Sequence, residues 1–268
     1  MSMKTLTKRR DLVAFRKKLK KKKIGFVPTM GALHAGHVSL IRRAVKECDF
    51  VFASIFVNPT QFGPLEDFSK YPRPLERDLN LLKEAGCNAV FAPSSVKEVY
   101  CRSGETSLKA RGDLSGILCG RFRPGHFDGV ATVVYKLFSW VMPTHAYFGE
   151  KDYQQLQVIK ALVEDLELGL RVVSCKTIRE KDGLAMSSRN AYLPSDKRNA
   201  AARLYSVMIS ASNPQEGREL LETEGFKVQY LEVWNATLTE QLPGPQGRWL
   251  VAALFEGVRL IDNVLRKA

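Results

Sequence analysis

The 268-residue chain has no run of eighteen apolar residues free of charge, so nothing in it reads as a membrane-spanning helix. Its basic N-terminus lacks the apolar core of a signal peptide, and cytoplasm is the expected compartment. There is no CxxC. The five cysteines, Cys48, Cys87, Cys101, Cys119 and Cys175, are scattered and odd in number, and four fall in or beside apolar segments. That distribution disfavours a disulfide framework and reads as buried free thiols. Internal repeats and low-complexity tracts are missing too. What is left is a globular chain, 45% apolar, with length for one large domain or two smaller ones.

Negative charge is in short supply: 28 acidic residues face 41 basic ones, a net +13. Such a surface attracts nucleic acid or small anions. Part of the excess is local. Lys17, Lys18 and Lys20 to Lys23 form one run, alongside Leu12, Phe15 and Leu19, which suggest an opening helix packed on one side. The run reads as a solvated face. Without basic-region heptads or a zinc finger, small anions are favoured over nucleic acid.

Histidine is scarce as well, four in all, yet His34 and His37 stand three residues apart. An apolar run, residues 24–28, reads as a strand, Thr29-Met30-Gly31 as a tight turn, and an amphipathic helix starts near Gly36 with Val38, Ile41, Val45 and Cys48 close to a 3.6 period. Free amides at a helix start suit phosphate, and two imidazoles on one side of the turn can donate to the same oxygens. A metal pair or merely packed histidines are the competing readings, although no nearby Cys, Asp or Glu completes a metal set. Residues 50–57, FVFASIFV, read as a buried strand. Asn58 and Gln61 follow it in NPTQF, at the sheet edge where α/β proteins bind ligands; a plain Asn-Pro turn competes. Residues 67–74 form a loop, 75–85 a helix and 89–92 a short strand.

Residues 94–125 lose periodicity and read as an extended loop region with short elements, long enough to cover a site. Arg123 and His126 lie at its end; Arg121 and Arg123 suit either phosphate clamping or plain surface charge. A helix is predicted over 130–141 and a strand over 145–149. Lys151 comes directly after that strand, with Asp152 and Gln155 three apart as the next helix begins. Lysine there places compact charge beside phosphates. Asp152 suits ribose hydroxyls, water-borne Mg²⁺ or a helix cap. After a strand over 170–175, the DGLAMSSRN stretch offers Ser187, Ser188 and Arg189 as phosphate ligands on a closing loop, with Met186 as an adenine or core contact. Helices over 199–212 and 215–224 and strands over 228–234 and 249–254 complete the pattern, Trp234 and Trp249 packing a smaller domain. Alternating strands and helices point to a mostly parallel sheet.

These ordered stretches together resemble the pantoate–β-alanine ligase family: PTMGALHAGH, NPTQF, YPR, GRFRPGHFDGV, FGEKDYQQ, DGLAMSSRN and RLIDN, over nearly the whole chain. HAGH resembles the HIGH motif of the nucleotidylyltransferase superfamily, and MSSRN takes the place of its KMSKS loop without either lysine. The resemblance implies an α/β fold. A Rossmann-like ATP- and pantoate-binding domain over residues 1–176 precedes a smaller C-terminal α+β domain over 177–268.

The resemblance also implies ATP and Mg²⁺, pantoate and β-alanine as substrates, a pantoyl adenylate intermediate and a homodimer, with no nucleic acid and no membrane as partners. His34, His37, Lys151, Ser187, Ser188 and Arg189 would act on the ATP phosphates. Asp152 would bind ribose, with Gly149 allowing close approach and Met186 beside the nucleotide. Met30, Gln61 and Gln155 would surround pantoate. Asn58 would support that pocket, and Arg123 and His126 the mobile side. Another nucleotidylyltransferase of the superfamily is the alternative, and an RNA-binding module a more distant one.

Overall fold

A computed structural model of the chain describes residues 3–64, 66–101 and 106–267. In chain order the elements are β1 (Lys4–Leu6), α1 (Arg9–Lys17), β2 (Ile24–Thr29), α2 (Ala35–Glu47), β3 (Phe50–Ile55), α3 (Leu75–Glu84), β4 (Ala89–Phe91), α4 (Gly112–Ser115), α5 (Leu118–Phe122), α6 (His126–Val141), β5 (His145–Gly149), α7 (Tyr153–Asp165) and β6 (Arg171–Cys175). Then come α8 (Arg203–Ser210), α9 (Pro214–Thr223), β7 (Lys227–Trp234), β8 (Gly247–Phe255) and β9 (Val258–Arg266).

Strands β1 to β6 form one parallel sheet in the order β1-β4-β3-β2-β5-β6. Both of its faces are covered. Along β2 and β3, Ile24, Phe26 and Phe52 face one core with residues of α6 and α7, while Val27, Val51 and Ala53 face another with residues of α2 and α3. Burial on both faces is why these strands read as unbroken apolar runs. From β2 the chain winds outward through β3 to β4, then returns to place β5 on the other side of β2. The reversal opens a crevice beyond the C-terminal ends of β2 and β5, where α/β sheets hold ligands.

The second sheet is antiparallel, β7-β8-β9. Its residues alternate between two partners. Leu231, Val233, Trp249, Val251 and Ala253 pack with α8 and α9, whereas Tyr230, Trp234, Leu250 and Ala252 join the large core of the first sheet. Trp234 therefore belongs with the first core and not with the smaller one, a correction that follows from the period-2 alternation of a strand buried on both sides.

Predicted helices and strands otherwise fall within a few residues of those observed. The helix predicted from Val130 starts four residues earlier, at His126, behind Gly125 in the left-handed region. Two strands were not anticipated, β1 and β9; β9 carries Arg259, Asp262, Asn263 and Arg266 among its apolar residues, which blurs its alternation. Of the stretch read as an extended loop, residues 102–105 lie outside the described residues. The lysine run behind α1 is exposed, and the five cysteines are free thiols.

Removing the Trp234 side chain should loosen the second sheet from the first. Trp234→Ala is expected to lower unfolding stability by about 3–5 kcal/mol, the usual cost of emptying a large aromatic site. Urea denaturation reads it; a loss under about 1 kcal/mol would show that this face carries no packing.

Candidate active site

The two crevice-forming strands each deliver one polar cluster. The turn after β2 leads into α2 with His34 as its N-cap. His34 Nδ1 accepts from the Gly36 amide at 3.2 Å, and His37 Nδ1 accepts from the His34 amide at 3.4 Å. The rings lie 4.1 Å apart. With both Nδ1 atoms accepting, each neutral ring carries its proton on Nε2. This corrects one expectation. Two of the helix-start amides are not free for phosphate; the imidazoles occupy them and offer Nε2–H donors in their place. Gly36 is what allows this, since a Cβ there would stand 2.8 Å from His34 Cε1. Burial, then Lys151, lowers the His34 pKa to about 4; burial, then His34, lowers that of His37 to about 3.

After β5, Lys151 Nζ lies 3.5 Å from Asp152 Oδ1. Burial alone would raise the Asp152 carboxyl, but Lys151 and Arg189 outweigh it and hold it below the ordinary range. β9 fixes this turn from behind, Asn263 Nδ2 donating to the carbonyls of Glu150 at 2.7 Å and Lys151 at 3.1 Å.

The segment after β3 is held almost entirely by its own network. Asn58 Nδ2 donates to Gln61 Oε1 at 3.2 Å and Gly129 O at 3.1 Å, and its Oδ1 accepts from Tyr100 at 2.8 Å. Asn58 is fully buried. Its polar atoms are spent on shaping the turn. Gln61 Nε2 reaches Met30 Sδ at 3.0 Å. Behind them, Glu66 receives the Arg123 guanidinium at 2.6 and 2.5 Å, Arg123 lies 3.0 Å from His126 Nε2, and His126 Nδ1 lies 2.7 Å from Gln61 O. A carbonyl only accepts, so His126 Nδ1 carries the proton and Nε2 accepts from Arg123. Burial, then the Arg123 charge, lowers the His126 pKa to about 3.

The DGLAMSSRN loop reaches across from the far side. Ser187 Oγ accepts from the Arg189 amide at 3.2 Å, and Ser188 donates to Ala32 O at 3.0 Å. The Arg189 guanidinium is held by Asp67 at 2.9 and 2.7 Å.

Fifteen residues singled out from the sequence line one cleft of about 220 Å³: Met30, His34, His37, Asn58, Gln61, Arg123, His126, Gly149, Lys151, Asp152, Gln155, Met186, Ser187, Ser188 and Arg189; Arg121, the other arginine read as a possible clamp, lies outside it, exposed and paired with Glu232. Sequence reasoning missed the cleft's apolar floor, Val130, Val133, Val134 and Leu137 of α6, and also Tyr71, Lys176 and Thr177. The floor was legible as an apolar helix, but which strand ends it faced was not. Glu66, Asp67 and Asn263 were missed because each acts through a distant partner.

The pH dependence of stability follows from the buried imidazoles. In the fold His126 stays neutral down to about 3, whereas unfolded it protonates near 6.5. The unfolded chain thus binds more protons between those values, and stability falls as pH drops through that window, by at most about 1.4 kcal/mol per pH unit for each such histidine. His126→Gln should make the fall shallower. Urea unfolding at pH 7 and pH 5 tests it; parallel slopes in both proteins would mean that His126 protonates freely in the fold.

Known proteins match nearly the whole of this chain. A family model described as pantoate-beta-alanine ligase matches residues 2–265. The pantothenate synthetase of Carboxydothermus hydrogenoformans is 49% identical over 257 residues, covering 90% of each chain. That of Caldicellulosiruptor bescii is 44% identical over 283 aligned residues, covering 99% of this chain and 100% of its own. The crystal structure of pantothenate synthetase from Thermus thermophilus superposes with a TM-score of 0.94 at 44% identity, covering 99% of this chain and 100% of that one. A Francisella tularensis pantoate-beta-alanine ligase, solved with beta-gamma ATP and beta-alanine, gives 0.90 at 38% identity over 98% of each.

Proposed function

The chain belongs to the pantoate–β-alanine ligase family and is an ATP-dependent ligase joining pantoate to β-alanine as pantothenate; we propose that it does so through a pantoyl adenylate held in the cleft between β2 and β5. The observation that carries this is the convergence, at one topological switch point, of two Nε2–H donors, a lysine and a serine–arginine loop. They suit a polyphosphate. The amides of Gln61 and Gln155, beside the apolar α6 floor, suit a small hydroxy acid.

In the first step a pantoate carboxylate oxygen attacks the α-phosphorus, a P–O bond forms, and the bond to the bridging oxygen breaks to release pyrophosphate. His34, His37, Lys151, Ser187, Ser188 and Arg189 stabilise charge as it spreads over the phosphates. Asp152 receives the ribose hydroxyls, Gly149 leaves room for them, and Met186 lies against the nucleotide. In the second step the β-alanine amine attacks the acyl carbon, loses a proton and expels AMP. Positioning does most of the work in both steps. Gln61 and Met30 are held for it by Asn58 and by the Glu66–Arg123–His126 chain.

Mg²⁺ is part of the proposal. Among the described residues no group of three or more His, Cys, Asp or Glu is arranged to hold a metal. Mg²⁺ keeps several waters and is held largely by substrate phosphates, so it needs no all-protein cage, and Asp152, whose place is at the ribose, would reach it only through water. Carried in with ATP, the ion would neutralise phosphate charge. The resemblance also supports a homodimer, which light scattering of the purified protein tests, and a cytoplasmic location; no helix among the described residues is long and apolar enough to cross a membrane. The division into domains over 1–176 and 177–268 is supported by the change of sheet after Cys175.

Isotope exchange distinguishes the adenylate route. Pyrophosphate should exchange into ATP when pantoate is present and β-alanine absent. Formation of ADP with pantoyl phosphate would overturn the route. His37→Asn keeps an acceptor where Nδ1 stood but removes Nε2–H. It should leave thermal stability within a few degrees and cut exchange by about 10²-fold or more, the scale for losing one preorganised donor. His37→Ala should lose both. Undiminished exchange in His37→Asn would remove the imidazole from the phosphates.

A further inference from the structure

Between β2 and the first turn of α2 the chain does something costly. Gly31 has φ 82° and Ala32 has φ 49°, two successive residues in the left-handed region. For alanine that conformation is disfavoured by about 5- to 30-fold. Glycine at position 32 would remove the penalty, yet the chain has alanine there. Something else must hold it.

That something is Asp78, in the first turn of α3. Its carboxylate is buried, with 1% of the residue exposed. Oδ2 accepts from the Ala32 amide and Oδ1 from the Leu33 amide, each at 2.8 Å. An acid in the first turn of a helix ordinarily serves that helix's own amides. Here both oxygens are turned outward onto another element, 46 and 45 residues away in sequence. A Cβ on Gly31 would come within 3.0 Å of Asp78 Oδ2, so the carboxylate fills the space the glycine leaves.

We infer that Asp78 is a positioning residue for the phosphate-binding turn: its carboxylate clamps two successive amides, holds Ala32 left-handed, and thereby sets where His34 and His37 present their donors. The clamp has a second consequence. The Ala32 peptide that Asp78 orients also presents the carbonyl that accepts from Ser188, at 3.0 Å. One carboxylate thus fixes both the histidine turn and the docking point of the serine–arginine loop. Asp78 does not line the cleft and acts only through that backbone. The inference rests on the assignment of His34 and His37 to the ATP phosphates.

A double-mutant cycle between Asp78 and Ala32 tests it, read as steady-state pantothenate synthesis. Asp78→Ala should lower kcat/KM for ATP by about 10- to 100-fold, with a smaller change in the pantoate KM. In the Ala32→Gly background the same substitution should cost at least about fivefold less, because glycine adopts the left-handed conformation without help. A carboxylate that only supports α3 would give equal losses in both backgrounds, and that result overturns the inference. So does an unaltered kcat/KM in Asp78→Ala. If Asp78→Ala does not fold, Asp78→Asn replaces it; one oxygen remains to accept, one amide loses its partner, and the same background dependence is required. Loss of activity in His37→Asn without any loss at Asp78 defeats this inference alone, whereas full activity in His37→Asn defeats the site assignment beneath it.

Discussion

Backbone amides that must be satisfied away from water govern this molecule. Between Gly31 and Gly36 the chain leaves a sheet and enters a helix, and neither ladder serves its N–H groups. Side chains do so instead for all but the exposed Ala35. Thr29 Oγ1 takes Gly31, Asp78 takes Ala32 and Leu33, the His37 ring takes His34, and the His34 ring takes Gly36. Leu33 is anchored in the core beneath them. The path of six residues is thereby over-determined. Two imidazoles end up as helix caps with their second nitrogens available to a ligand.

The rest of the architecture aims other groups at the same place. β5 lies beside β2 because the winding reverses there, so the Lys151–Asp152 turn faces the histidine turn across one crevice. The antiparallel sheet is more than an appendage. One of its faces joins the first core, and Asn263 of β9 binds the carbonyls under Lys151. Charge is managed by the same pairing. Arg189 is held by Asp67, and Arg123 by Glu66. In a chain with a net charge of +13 these two guanidinium groups of the cleft are each paired with a carboxylate, and under the proposed function the ATP phosphates would compete with Asp67 for Arg189.

What could be read from the sequence was whatever is local. HAGH, NPTQ and FGEKD each combine a strand end, a turn and a helix start within ten residues, and period and turn chemistry suffice to place them. The parallel sheet followed from alternation of elements, and both its faces being covered followed from unbroken apolar runs. The partners were illegible. Asp78 sits in a helix whose sequence explains an acid in its first turn without any clamp. Asn263 interrupts the pattern of β9 and hid the strand itself. Trp234 differs from Trp249 only by the face of the sheet it occupies, and facing is decided by register. The free helix-start amides expected at Gly36 fail for a related reason. No spacing rule shows that the histidines turn their own Nδ1 atoms back onto them.

The caps also decide what kind of catalysis these histidines support. Burial disfavours their charged forms, the neighbouring Lys151 adds to it, and the use of Nδ1 as an acceptor adds a further obstacle. Protonating Nδ1 would put two donors face to face and open the start of α2. The rings are therefore neutral at physiological pH, with pKa values lowered to about 4 and about 3. A neutral imidazole gives direction rather than charge. In the mechanism we propose, Lys151 and Arg189 would supply the positive charge that a departing pyrophosphate requires. The imidazoles, rigid because the backbone holds them, supply donors at fixed positions. Fixed donors need no reorganisation when charge moves, and that is the condition under which hydrogen bonds contribute most to a transition state.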